Sequence, residues 1–180
     1  LALIANTFAT GAALFVLITM LGPISGAHFN PVVSLVMRMR GALSGTDLVA
    51  YVAVQVAGAI AGVLLAHMMF DETLLQASTR VRTGPAQWLS EAVAAFGLLL
   101  TILLTLRARP EAVAASVALY IVSAYWFTAS TSFANPAVTV ARALTDTFAG
   151  IRPADVLAFI MAQTAGAVVG YAAARFLGRD

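Results

Sequence analysis

Ser25-Gly26-Ala27-His28-Phe29-Asn30-Pro31-Val32 and Ser130-Thr131-Ser132-Phe133-Ala134-Asn135-Pro136-Ala137 decide the fold of this chain. Each sets an Asn-Pro after an apolar run and before a short helix-forming stretch. Asn30 and Asn135 suit the N-cap, where a side-chain oxygen accepts from free backbone N–H groups. Pro31 and Pro136 suit the next position, where a missing N–H costs nothing. The asparagines stand 105 residues apart (135 − 30). A second matched pair follows them: Gln55-Val56-Ala57-Gly58-Ala59-Ile60-Ala61-Gly62 and Gln163-Thr164-Ala165-Gly166-Ala167-Val168-Val169-Gly170, at an offset of 108 (163 − 55). One Asn-Pro is an ordinary turn or cap, but two inside a register-matched duplication are far more specific.

Outward from these motifs the chain is apolar. It has 180 residues, 61% hydrophobic and 10% charged, with mean hydropathy +0.93, where a soluble domain carries about 25% charged residues. The composition is that of an all-α membrane protein. Charge-free runs at 1–37, 48–70, 92–106, 112–141 and 156–174 give spans at roughly 1–21, 48–70, 87–106, 112–129 and 155–176, several reaching the ~20 residues that a crossing helix needs. Re-entrant segments fall at 25–40 and 130–147, and Gly-Pro at 22–23 and 84–85 marks span ends. The first run has no basic leader and no polar cleavage region, so it reads as a span.

A net charge of +2 gives no sign of a nucleic-acid partner, and the absence of cysteine removes disulfide and thiolate-metal chemistry. All ten basic residues are arginine. One set of connections holds Arg38, Arg40, Arg107, Arg109, Arg175 and Arg179, the other Arg80, Arg82, Arg142 and Arg152. That bias places the carboxyl terminus in the cytoplasm of a multi-pass inner (plasma) membrane protein.

We treat residues 1–180 as a single membrane domain with an incomplete first repeat at 1–70 and a second at 85–180. Offset 105 pairs Leu1 with Leu106, so the span at 87–106 has no counterpart in the first copy. The expectation is a further spanning helix upstream. With it, each copy has three spans and one half-helix, and the odd number inverts the second copy. Inverted repeats with broken helices place a functional site near the midplane.

Two half-helices meeting amino end to amino end present about half a positive charge each, which repels cations. The capped asparagines turn their amide donors toward the lumen. Extended stretches at 25–29 and 130–134 leave carbonyls free, which membrane depth tolerates only along a wet path. These features predict a pore for uncharged, hydroxylated molecules. The glycines of the two Gln-containing helices allow close helix approach, and Gln55 and Gln163 are expected to hydrogen-bond the loops they face.

These motifs resemble those of the aquaporin, or major intrinsic protein, family. Residues 25–32 look like its first pore loop, Asn135-Pro136-Ala137 like its second, and Glu91 like the buried Glu of its fourth helix. The resemblance implies six spans in the intact protein, a homotetramer with one pore per protomer, surrounding membrane lipid, and small neutral solutes. The sequence shows no Ser/His/Asp constellation, carboxylate pair or phosphate-cradling glycine loop, and His28 has no nearby ligand partner, so no catalytic residue, cofactor or metal is expected. By the same resemblance, a selectivity constriction falls at Thr10, Ser123, Ser132 and Val138. Family members that pass water alone have bulky residues there and an Arg where this chain has Val138. The small side chains imply a wider, less cationic passage, and Val32 also departs from the usual Ala. Residues 135–151 look like a bacterial subgroup associated with arsenic resistance, which implies passage of metalloid hydroxides such as arsenious acid.

Several residues keep two readings. Arg142 lies four residues after Val138, on the same helix face. It either restores positive potential at the outer mouth, favouring oxyacids, or pairs with Asp146 or the interface. His28 fits pore lining or a loop hydrogen bond. His67 reads as interfacial. Glu91, an ionisable group inside a span, marks function by default, but reads better as a structural acceptor for re-entrant N–H groups. Tyr120, Tyr125, Trp126 and Phe127 fit an aromatic belt, the last three also an outer vestibule. The rival to a passive channel is an ion- or proton-coupled secondary transporter, which needs a chain of intramembrane ionisable groups. Glu91 alone is clearly mid-span.

Overall fold

The computed structural model describes residues 1–178. Arg179, counted above in the charge bias, lies outside the described residues. The chain forms α1 (Ala2–Ser25), α2 (Pro31–Met39), α3 (Gly45–Met69), α4 (Pro85–Ala108), α5 (Val113–Phe127), α6 (Pro136–Arg142) and α7 (Val156–Leu177). Single 3-10 turns at Pro110–Ala112 and Pro153–Asp155 lead into α5 and α7. Five of the helices, with those turns, are long and apolar enough to cross a membrane. The other two, α2 and α6, have 9 and 7 residues, about 14 and 10 Å at 1.5 Å per residue. Neither crosses a ~30 Å hydrocarbon core alone. The architecture is an all-α inverted repeat of spanning helices with two re-entrant half-helices.

The Gly-Pro at 84–85 starts a helix as expected, with Gly84 at the N-cap and Pro85 first inside. The one at 22–23 does not end one: α1 runs on through Pro23 to Ser25. Proline there removes one late backbone bond, and the stop comes at Gly26, whose left-handed φ of 75° lets its N–H reach the Gly22 carbonyl at 2.9 Å.

The core is built on α4. Ala94, Ala95 and Leu99 are buried against α2 residues Val32 and Val36 and α7 residue Ala167. Close approach of α4 and α7 depends on two glycines. A Cβ on Gly166 would run into the Ala92 carbonyl oxygen, and one on Gly170 would come within 2.6 Å of that of Phe96. Gly166→Ala must therefore push two backbones apart, and is expected to cost about 1–3 kcal/mol. This reads as a lower melting temperature of the detergent-solubilised protein; an unchanged one would mean the helices have room to spare. The matched Gly58 and Gly62 on α3 meet nothing within 4 Å among the described residues. The α3 face that corresponds to the packed face of α7 is open.

Candidate pore site

Both half-helices start alike. Asn30 is extended at φ −152° and its Oδ1 accepts from the Val32 N–H at 3.1 Å. Asn135, at φ −155°, accepts from Ala137 at 3.0 Å and Val138 at 3.3 Å. The caps then reach across to each other's loops. Asn30 Nδ2 donates to the Ala134 carbonyl at 2.8 Å, and Asn135 Nδ2 to the Phe29 carbonyl at 2.9 Å. The acceptors differ by the same 105 positions as the donors. Each amide thus gives one N–H to the opposite loop and keeps one, so the donors are half spent instead of wholly turned to the lumen. The two amino ends are tied within a few ångströms.

The loops before the caps are not extended. Ala27, Phe29, Ser132 and Ala134 have φ of 47°, 50°, 50° and 47°, with Thr131 at 61°. Non-glycine residues occupy this left-handed region only when their surroundings hold them there. The surroundings are visible. Glu91, fully buried, accepts the Phe133 N–H at Oε1 (2.9 Å) and the Ala134 N–H at Oε2 (2.8 Å). Gln163 Nε2 donates to Glu91 Oε2 at 2.6 Å and to Thr139 Oγ1 at 2.8 Å. In the first copy, Gln55 Nε2 donates to Ser34 Oγ at 2.9 Å, and His28 Nδ1 lies 3.1 Å from the same hydroxyl. Both glutamines therefore hold the half-helices through matched hydroxyls, Ser34 and Thr139, and not the loops, because their side chains reach the first helical turn after each cap. The carbonyls of residues 26–28 and 131–133 accept no hydrogen bond among the described residues.

One cavity of about 1100 Å³ runs past both caps. Asn30 and Asn135 line it, as do His28, Thr10, Ser132 and Val138; Pro31 and Pro136 are buried behind the caps. His28 thus stands on the cavity wall with its ring against an α2 hydroxyl, not a loop group. Ser123 is not on this wall. It is exposed, and its hydroxyl turns back to the Tyr120 carbonyl at 2.7 Å. Val117, Ile121 and Tyr125 form the α5 wall at a spacing of four, and two residues either way swings a side chain about 200° off that face. Tyr125 stands there instead, its hydroxyl donating to Thr10 Oγ1 at 3.3 Å. Tyr120 donates to the Ala94 carbonyl at 2.9 Å, while Trp126 and Phe127 are exposed.

At the α6 end, Arg142 and Asp146 do not pair. Asp146 Oδ1 accepts from the Thr79 N–H at 2.7 Å and its hydroxyl at 2.9 Å, and those bonds hold its carboxyl below the usual range. The Arg142 guanidinium lies over Phe133, 4.3 Å from the ring centroid, and Arg82 is 4.9 Å from the same ring. Arg82 was no more than a loop charge in the sequence, yet it clamps the second re-entrant segment. It donates to the carbonyls of Gly150 (2.7 Å), Ser130 (3.0 Å) and Phe148 (3.0 Å). Burial first, then the like charge of Arg142, lowers its pKa from the ordinary guanidinium value. His67, in the last turn of α3, is buried, and its Nδ1 sits 3.0 Å from the Leu74 carbonyl.

Comparison with known proteins settles the family. The major intrinsic protein model matches residues 1–112. The chain is 63% identical to aquaglyceroporin AqpS of Rhizobium meliloti (strain 1021), over 98% of this chain and 76% of that protein. This chain belongs to the major intrinsic protein family. Among more distant members, it is 35% identical to aquaporin-8 of Notomys alexis over 58% of the chain and 41% of that protein. It is 31% identical to the glycerol uptake facilitator protein of Streptococcus pneumoniae over 53% and 46%. The family consists of multi-pass membrane channels, not enzymes, so the chain is a multi-pass membrane channel protein.

Proposed function

We propose that this member of the major intrinsic protein family conducts small uncharged hydroxylated solutes passively, with arsenious acid first among them and glycerol and water beside it. The paired caps carry the reading. Each asparagine keeps one amide N–H beside a cavity whose loops offer carbonyls unpaired among the described residues, so a hydroxylated solute finds both a donor and an acceptor at the midpoint. The amino ends of α2 and α6 make that centre positive and hold back cations. Val138, in the position where the resemblance expects Arg, leaves the wall short and uncharged. The AqpS relative is named an aquaglyceroporin and a more distant one a glycerol facilitator, in keeping with passage wider than water alone. Residues 135–151 carry the likeness to the arsenic-resistance subgroup. We place the protein in the inner membrane as a homotetramer, with the repeats bounded at 1–70 and 85–180.

Light scattering from vesicles containing the full-length protein tests this. Arsenious acid and glycerol gradients should each drive rapid swelling that imposed proton or sodium gradients leave unchanged. Uptake that follows a proton or sodium gradient would establish coupled transport instead.

A further inference from the structure

We propose that the α6 end of the cavity is a binding site for small oxyacid anions, anchored by the Arg142 guanidinium. The inference rests on the channel reading above and goes beyond it, since it concerns a charged ligand that the pore is not built to admit as cargo.

The repeat makes the site conspicuous. Seen from the midpoint, one half-helix presents Asn30, Val33 and Met37 to the cavity; the other presents Asn135, Val138 and Arg142. Offset 105 maps these residues one onto another, so the two walls match until the last turn. There, one ends in a thioether and the other in a guanidinium. The matched position itself carries no cation, although the α2 end has one nearby, Arg40, whose Nη1 lies 3.5 Å from the Met37 sulfur.

Nothing in the fold consumes that guanidinium. Among the described residues it forms no hydrogen bond or ion pair, and its contact is the Phe133 face at 4.3 Å. Asp146, four residues on, is held by Thr79. Arg82, across the same ring, spends all three guanidinium nitrogens on carbonyls. Glu72 lines the cavity but makes no ion pair with Arg142. A planar fork of N–H donors, fixed by stacking and left open, matches two oxygens of one acid group.

A second group at this end is also unspent. The Leu74 carbonyl can only accept, so His67 Nδ1 carries a hydrogen, and in that tautomer Nε2 is the acceptor. That Nε2 is buried and without a partner, on a residue that is 4% exposed and lines the same cavity. An acid hydroxyl is a donor of the kind it lacks. The ligand class is therefore a monoanionic oxyacid with two free oxygens and a hydroxyl. A polyol lacks the charge and a metal cation has the wrong sign.

Occupancy at this end should obstruct solute flow, so the test is inhibition. Glycerol-driven swelling of vesicles holding the full-length protein is measured against rising external methylphosphonate, at a pH where it is a monoanion. Each variant is scaled to its own uninhibited rate, so poor folding changes the amplitude and not the midpoint. Native protein should be inhibited, Arg142→Gln should raise the half-inhibiting concentration about tenfold, and Arg142→Lys, which keeps the charge but not the fork, should fall between. A structural role for Arg142 would leave the midpoint where it is. Swelling that methylphosphonate does not slow, or equal midpoints for native and Arg142→Gln, would overturn the site while leaving the channel reading intact. Native vesicles that fail to swell in glycerol would overturn both.

Discussion

Glu91→Ala will strip the second re-entrant segment of its support and cost the protein a large part of its stability. Three donors converge on this carboxyl: the backbone N–H groups of Phe133 and Ala134 and the Gln163 amide. All three residues are buried with it. Alanine offers no acceptor to any of the three. A buried donor left unmet costs about 1–3 kcal/mol, so three together cost on the order of 5 kcal/mol, against a total of about 5–15 kcal/mol for a typical domain. The loss is also local. Ser132 and Ala134 are held at positive φ, and without the carboxyl the segment can relax that strain only by moving the Asn135 cap. Glu91→Gln is the graded control. It keeps the shape and one acceptor oxygen but points an NH₂ at a backbone N–H, so it should fall between native and Ala. Thermal unfolding of the solubilised protein ranks the three, and water permeability should follow the same order. Native-like melting of Glu91→Ala would mean the loop is held by Arg82 and the cross-loop bonds alone.

What the sequence made legible is what local chemistry dictates. Asn-Pro before a short apolar stretch can hardly be anything but a capped half-helix, and both form where the spacing predicts. The 105 offset makes the two caps equivalent, but turning both amides wholly to the lumen misses the bond each gives to the opposite loop. Glu91 was readable because a carboxyl in the middle of a span needs a reason. The misses share a cause: each depends on the rotation of a helix or the reach of a side chain in three dimensions. Ser123 and Tyr125 are two residues apart, and which faces the cavity turns on how α5 is set against α1. Pro23 signals a break by composition, yet the next left-handed glycine is what ends the helix. Arg142 and Asp146 have the spacing of a pair, but Thr79, far off in sequence, takes the carboxylate first. Arg82 carried no local signal at all, since its three carbonyl partners belong to backbone that only the folded loop brings together.

Val138→Arg should close the passage to solutes and largely spare water. Val138 lines the cavity with Thr10 and Ser132, three positions beyond the Asn135 cap. The substitution replaces a short apolar side chain with a long cation. Val138 already faces the cavity, and Arg142 one turn along the same face disfavours a second cation folding back toward it. The guanidinium is driven into the lumen, where it narrows the path and adds an electrostatic barrier, two of the levers that set pore selectivity. Arsenious acid and glycerol must strip and replace several hydrogen bonds while fitting beside it; a water molecule has less to fit. The expected result is at least about a tenfold fall in glycerol and arsenious acid swelling, a barrier increase of about 1.4 kcal/mol. Water permeability should fall less than about threefold, since pore diameter discriminates by solute size. Val138→Leu separates the causes by adding bulk without charge, and should trim glycerol only modestly. Equal losses of water and glycerol in Val138→Arg would show that this position supports the helix and does not select what passes it.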